Sequence, residues 1–195
     1  MDDPRIASKL RKSHVGIAGA GGLGSNAAMA LARAGVGRLT IVDFDRIEES
    51  NLNRQYFFLD QVGELKVEAL KRNIESAVKG CDVNMVDKKL VRGSMFEPFR
   101  DVDVVVEALD QAETKARFIE EILLGLPGKP IVGASGVAGY GCSERLNLVR
   151  FGDLYLIQDP DAASSENDVL LSPRVGLFAH YQANVVLSII LGGDP

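Results

Sequence analysis

Val15-Gly16-Ile17-Ala18-Gly19-Ala20-Gly21-Gly22-Leu23-Gly24 runs from a short apolar segment into a Gly-Ala-Gly-Gly-Leu-Gly turn, and an alanine- and leucine-rich stretch from Asn26 to Ala34 follows. The unbroken apolar run is the pattern of a strand buried on both faces. The stretch after the turn has the composition of a helix packed closely on a sheet, and Gly35-Val36-Gly37 stops it. Glycines between a strand and a helix let the backbone approach a phosphate. The helix start adds free N–H groups and about half a positive charge. Leu39 to Val42 then reads as a second buried strand, closing a strand–helix–strand unit.

The same rhythm extends in both directions. Asp3-Pro4 is a helix start, with Asp at the cap and Pro at the first helical position, and the charged helix runs to about Lys12. Val67, Leu70, Ile74, Ala77 and Val78 have helical spacing within Lys66 to Val78. Asp82 to Leu90 reads as a strand, as do Asp103 to Ala108 and the segment beginning Pro130 to Val132. Ala116, Ile119, Ile122 and Leu123 mark a helix between the last two. Leu146 to Val149 and Leu154 to Ile157 suit a late hairpin. The expected fold class is α/β: a Rossmann-like doubly wound, mostly parallel sheet with helices on both faces, late antiparallel strands and a C-terminal helix. Residues 1–195 are expected to form a single domain.

Composition bounds the function. The chain has 195 residues, 46% apolar and 25% charged, the balance of a globular protein. A net charge of −5 argues against nucleic acid as the main partner. Cys81 and Cys142 are too few for a disulfide framework or a zinc site, which fits a reducing cytoplasm. Met1 to Lys12 lacks the apolar core of a signal peptide. The most apolar stretch, Val175 to Leu191, carries His180, Gln182 and Asn184, so it is expected to be a buried helix and not a membrane span. Gln158 to Ser172 has no period and holds Asp159, Asp161, Glu166 and Asp168. It is either a plain surface loop or one that grips a partner.

If the strand order begins 3-2-1-4, the ends of strands 2 and 4 flank the glycine turn in one crevice. Asp43, ending strand 2 and 19 residues after Gly24, is placed to accept hydrogen bonds from ribose hydroxyls. ATP and NAD both carry that ribose. Arg54 and Lys66 separate the two, because a triphosphate with a pyrophosphate leaving group needs fixed cations beyond a helix end. Asp110, just past strand 4, is a carboxylate suited to magnesium on phosphate oxygens. Taken singly, each residue has a plainer reading. Asp43 and Asp110 could cap helices, Lys66 could be a solvated charge, and Arg54 a surface ion pair.

Taken together, these segments resemble the E1-like activating superfamily, in particular the ThiF and MoeB type adenylyltransferases, over about Val15 to Leu191. The resemblance rests on Gly19 to Gly24, Val42-Asp43-Phe44-Asp45, Ser50-Asn51-Leu52-Asn53-Arg54-Gln55, Gly63-Glu64-Leu65-Lys66 and Leu109-Asp110-Gln111. Pro173-Arg174-Val175-Gly176 and Gln182-Ala183-Asn184 are similar to a short ThiF-like subgroup. The resemblance implies that ATP binds through Gly19, Gly21, Gly22, Leu23, Gly24, Asp43, Asp45, Asn51, Arg54, Gln55 and Lys66. Arg54, Lys66 and Asp110 would carry catalysis, with magnesium on Asp110. It implies a small ubiquitin-like carrier protein ending in Gly-Gly, ThiS- or MoaD-like, as partner. The carrier's terminal carboxylate would become an acyl-adenylate as pyrophosphate leaves, in a pathway such as thiamine biosynthesis. A homodimer is the usual family state. Tyr56-Phe57-Phe58 suits an interface or, more simply, core.

Four departures qualify the match. The paired Cys-x-x-Cys motifs are absent, so no zinc is expected. No N-terminal arginine motif is recognisable, leaving Arg11 or Arg5 as the candidates. The threonine-aspartate-asparagine triplet reads Leu109-Asp110-Gln111. Finally, Gln158 to Ser172 has no thiol. Cys142 reads as a small buried residue, and adenylation without a thioester on this chain is the expectation. His14 and His180 read as structural. The competing readings are an NAD-binding oxidoreductase, a non-catalytic partner-binding module, and an enzyme activating a small carboxylate on RNA. The acidic charge weighs against the last of these.

Overall fold

The computed structural model describes residues 3–162, 169–193 and 195. Its framework is one seven-stranded sheet made of β1 (His14–Ala18), β2 (Arg38–Asp43), β3 (Asp82–Asp87), β4 (Val104–Glu107), β5 (Ile131–Ser135), β6 (Asn147–Phe151) and β7 (Leu154–Gln158). The strand order is β3-β2-β1-β4-β5-β7-β6. Every pairing is parallel except β6 with β7, the late hairpin. The connections are α1 (Pro4–Lys12), α2 (Gly22–Ala34), α3 (Lys66–Ala77), α4 (Ala112–Gly125) and α5 (Ser172–Leu191).

The strands alternate between two cores. Val15, Ile17, Val104 and Val106 point into a layer closed by α2, α3 and α5. Ala18, Val42 and Val105 point the other way, against Phe118 and Ile122 of α4 and Met95 and Phe99 of the segment before β4. Phe99 and Phe118 meet edge to face, with ring centres 5.4 Å apart. Helices on both faces explain why these strands read as continuous valine and isoleucine rather than as alternating polar and apolar residues. By length and composition α5 could cross a membrane. In this fold, however, Val175, Phe178, Ala179, Ala183, Val185 and Val186 are buried in the first core.

Local signals account for the helix ends. Asp3 caps α1 through the Arg5 amide at 2.8 Å, and Pro4 opens that helix, as expected. Two boundaries differ. The second helix begins at Gly22, not Asn26, because its glycine-rich first turn is held by packing rather than by propensity. The third strand stops at Asp87 instead of running to Leu90. At the turn, Gly19 has φ +97°, and a Cβ on Gly24 would lie 1.9 Å from the Gly19 carbonyl oxygen. Only glycine permits that backbone contact. At the opposite edge of the sheet, His14 Nε2 meets Thr40 Oγ1 at 2.8 Å. Burial and the nearby Arg38 charge lower the pKa of this imidazole, a structural setting.

The start of α5 is tied down by charge. Arg174 is buried, and its guanidinium donates to the carbonyls of Gly141 (2.9 Å) and Gly136 (3.1 Å) and to Asp159 Oδ2 (2.5 Å). Its face stacks on Phe178. Asp159 and Asp161 are thus described residues, whereas Glu166 and Asp168 lie outside the described residues. Burial pushes the Asp159 carboxyl upward. The Arg174 bond, the Asp161 amide and the Arg174 and Arg145 charges outweigh that, holding its pKa below the ordinary aspartate range.

Two outcomes follow. Gly24→Ala is expected to lower stability by at least about 3 kcal/mol, read from the urea midpoint; an unchanged midpoint would mean that the turn can move aside. Because the folded-state pKa of Asp159 is depressed, its ionised form stabilises the fold above the unfolded value near 4. That contribution fades as pH falls through the folded value. Asp159→Asn should therefore cost about 3 kcal/mol at pH 7. Paired denaturation curves should converge as the pH is taken below about 4, and a gap that persisted in acid would rule out charge as its source.

Candidate functional site

The carboxyl ends of β2, β1 and β4 open on a cleft of about 650 Å³, the size of a small-molecule site. Because β1 lies between β2 and β4, the chain reverses direction across the sheet at this point. Gly19, Gly21, Gly22 and Leu23 form one wall. Asp43 and Asp45 come from the end of β2, and Asn51, Arg54, Gln55 and Lys66 from the segment leading to α3. Asp110 closes the side beyond β4 and is exposed. Of the residues singled out from sequence, Gly24 alone does not line the cleft. It is buried beneath the turn and sets its shape instead of touching a ligand.

Each position has a local cause. Asp43 Oδ2 accepts from the Ala20 amide at 2.6 Å, and Oδ1 from the Asp45 amide at 2.8 Å. Its carboxylate therefore ties the glycine turn to the end of β2 while still facing the cleft. Ser25 donates to the Gly21 carbonyl (2.6 Å) and accepts from the Tyr56 amide (3.0 Å). Asn26 Nδ2 reaches the carbonyls of Gly22 (2.7 Å) and Arg54 (2.9 Å). These two side chains, of which only Asn26 falls within the helix expected from sequence, dock the Asn51–Tyr56 segment onto the first turn of α2. Asn51 itself caps a 3-10 turn by accepting from the Glu48 amide.

The charged groups are not ordinary surface charges. Lys66 is buried, and its Nζ lies 2.8 Å from Asp45 Oδ2. Arg54 donates to the Ser50 carbonyl (3.1 Å) and to Asn53 Oδ1 (2.8 Å). No carboxylate lies within ion-pair distance of it among the described residues. Gln55 Oε1 is buried and has no hydrogen-bond partner among the described residues. Lys88 and Lys89 enter from the end of β3, Lys89 lying 5.2 Å from the centre of the Phe44 ring. Six basic side chains and four carboxylates line the cleft of a chain whose net charge is −5. That local excess of positive charge suits a polyphosphate.

Several features were beyond sequence reading. Glu107 and Lys115 form an ion pair at 2.7 Å beneath Asp110; a glutamate ending a run of valines was the available signal. Cys142 is exposed at φ +49°, which corrects the expectation of a buried thiol. Cys81 is half-buried, and burial followed by the Asp82 charge pushes its thiol up to about 11. That favours the unreactive form. Phe57 is core, whereas Tyr56 is half-buried and Phe58 exposed. Arg11 lies beside Gly37 at the amino edge of the sheet, away from the cleft of its own chain.

Against known proteins, the ThiF family matches residues 3–195. The chain is 34% identical over 191 residues to the adenylyltransferase and sulfurtransferase UBA4 of Candida glabrata, covering 94% of this chain and 44% of that protein. It is 35% identical over 118 residues to the tRNA threonylcarbamoyladenosine dehydratase of Haemophilus influenzae, covering 60% of this chain and 45% of that protein. The chain thus spans less than half the length of these curated relatives. The ATP complex of E. coli tRNA N6-threonylcarbamoyladenosine dehydratase, TcdA, superposes with a TM-score of 0.88 at 20% identity, covering 97% of this chain and 90% of that one. The ATP complex of E. coli MccB gives 0.73 at 22% identity, covering 95% and 57%. The shared fold, the convergent cleft and a family match over nearly every residue agree: this chain belongs to the ThiF family.

Proposed function

We propose that this chain is an ATP-dependent adenylyltransferase that activates the C-terminal glycine carboxylate of a small ubiquitin-like carrier protein, ThiS- or MoaD-like. Its setting is a reducing cytoplasm, its working state a homodimer, and its product serves sulfur transfer, as in thiamine biosynthesis. One observation carries the reading: Arg54, the buried Lys66 and Asp110 share a single cleft with the glycine turn. Supporting it, relatives at 30–34% identity are named adenylyltransferases and sulfurtransferases, and family structures are recorded with ATP.

The α-phosphate would lie against the free amides at the start of α2, where backbone N–H groups and the helix dipole favour negative charge. Asp43 and Asp45 would face the ribose, and Asn51 and Gln55 would supply the surrounding polar contacts. An oxygen of the carrier carboxylate attacks the α-phosphorus, and the bond to the bridging β-phosphate oxygen breaks. The electron pair leaves with pyrophosphate, and the carrier keeps AMP as an acyl-adenylate. A carboxylate is already a nucleophile at neutral pH, so no side chain has to remove a proton. Arg54 and Lys66 are aimed at charge building on the phosphates, where prearranged cations act most strongly. Asp110 is the carboxylate on which magnesium would sit, and the ion when bound neutralises the leaving group.

A second reading is activation of a carboxylate carried on RNA, favoured by the identity to a tRNA threonylcarbamoyladenosine dehydratase. The overall acidity of the chain makes the protein carrier the leading reading. The deciding assay is ATP–pyrophosphate exchange with magnesium, adding in parallel carriers ending in Gly-Gly and tRNA bearing threonylcarbamoyladenosine. Exchange that depends on a carrier is expected. Exchange only with tRNA would transfer the assignment, and nucleotide binding without exchange would leave a partner-binding module. Asp110→Ala is expected to lower exchange at least about a hundredfold while the thermal midpoint is kept.

A further inference from the structure

We infer that Glu107 and Lys115 are positioning residues whose ion pair fixes the direction in which Asp110 leaves the sheet. The inference deepens the proposed function and rests on its reading of Asp110. Glu107 ends β4 and is fully buried, a costly place for a carboxylate without a partner. Lys115, in the first turns of α4, puts Nζ 2.9 Å from Glu107 Oε1 and 2.7 Å from Oε2. The approach to Oε2 is too oblique for a directed hydrogen bond, so that contact is ionic.

What the pair holds is Leu109. The Leu109 amide donates to Glu107 Oε1 at 2.8 Å, and the Leu109 carbonyl accepts from Lys115 Nζ at 3.1 Å. Both polar groups of the residue before Asp110 are therefore held by one ion pair. From the other face, Gln182 Nε2 donates to the Glu107 carbonyl at 2.9 Å and to the Val132 carbonyl at 3.1 Å. One residue on, the Ala108 amide donates to Ala18 at 2.9 Å. The Ala108 carbonyl oxygen lies 2.6 Å from where a Cβ on Gly19 would stand. The Asp110 turn and the glycine turn thus abut, and the ion pair sets one against the other.

Two plainer roles compete. Lys115 lines the cleft, so it could grip a phosphate directly. Two of the three ammonium donors are already used on Glu107 Oε1 and the Leu109 carbonyl, however, and the charge is matched by the buried Glu107 carboxylate. The pair could also serve stability alone. Apolar residues of similar volume often do that as well or better, and they would leave both Leu109 groups unpaired.

The experiment compares wild type, Lys115→Met, Lys115→Arg, Asp110→Ala and the double variant Lys115→Met/Asp110→Ala. ATP binding is measured by calorimetry with magnesium and again with EDTA. Amide exchange of the Leu109–Gln111 turn is measured alongside. Lys115→Met should weaken binding about tenfold with magnesium and leave binding in EDTA unchanged. Lys115→Arg should restore it, and the double variant should bind no worse than Asp110→Ala alone. Leu109 and Asp110 amides should exchange faster in Lys115→Met, with Val104 to Val106 still protected. Weakening of equal size in EDTA, or additive losses in the double variant, would make Lys115 a phosphate ligand and overturn the inference. If Asp110→Ala has no magnesium-dependent effect, the reading of Asp110 fails on its own account. The exchange data then decide whether the pair holds the turn, and unchanged exchange refutes it. Should Lys115→Met not fold, Glu107→Gln/Lys115→Met removes both charges and is judged by the same measurements.

Discussion

The backbone-on-backbone contact between Gly24 and Gly19 governs the rest of the site. It brings the first turn of α2 against the end of β1 at a distance that any side chain would prevent. Once α2 starts there, Ser25 and Asn26 present polar groups to the Asn51–Tyr56 segment at fixed height, and Arg54 is delivered to the mouth of the cleft. Asp43 completes the join by accepting from Ala20 on one side and Asp45 on the other. A wider turn would release all three connections together. The glycines therefore act twice, leaving room for a phosphate and allowing the close packing that positions its other ligands.

Much of this was legible in the sequence because the signals are local. Runs such as Leu39 to Val42 and Val104 to Val106 have one physical explanation, a strand covered on both faces, and alternation with helices then dictates a parallel sheet. The strand order follows from that topology, which is why Asp43 and Asp110, 67 residues apart in number, converge as expected. What escaped reading depends on partners that only folding brings together. Lys66 reads as a cation for phosphates, but its burial and its pairing with Asp45 were not legible. Arg174 and Asp159 look like surface residues on either side of a polar loop, yet both are buried. The start of α2 was missed because glycine is a poor helix former and packing overrode that preference. Cys142 was placed inside by its residue type, whereas its left-handed backbone belongs to an exposed turn.

Lys66, Glu107, Asp159 and Arg174 are each buried, and each is matched to an opposite charge. Such pairs recover much of their desolvation cost but seldom exceed what apolar packing would contribute. Their value here is directional. Arg174 fixes the Gly136 and Gly141 carbonyls at the start of α5, and Glu107 with Lys115 fixes Leu109. Orphaned polar atoms remain at Arg174 Nε, Gln182 Oε1 and Gln55 Oε1. The first two lie where the helix meets its loop and the sheet, and the third belongs to a residue that lines the cleft. A scaffold optimised for stability alone would have removed all three.

The same pattern explains why this cleft suits attack by a carboxylate. An acid–base enzyme needs a side chain whose proton moves near neutrality, usually a histidine or a perturbed carboxylate. Here the two histidines, His14 and His180, lie outside the cleft lining, one at the far edge of the sheet and one on α5 bonded to the Gly176 carbonyl. The cleft offers fixed cations, amide dipoles and carboxylates, with Asp45, Glu48 and Asp110 exposed. Those groups can hold a triphosphate still and absorb charge as its bridging bond stretches. A substrate that arrives already ionised needs nothing further, and a terminal glycine carboxylate meets that requirement at physiological pH.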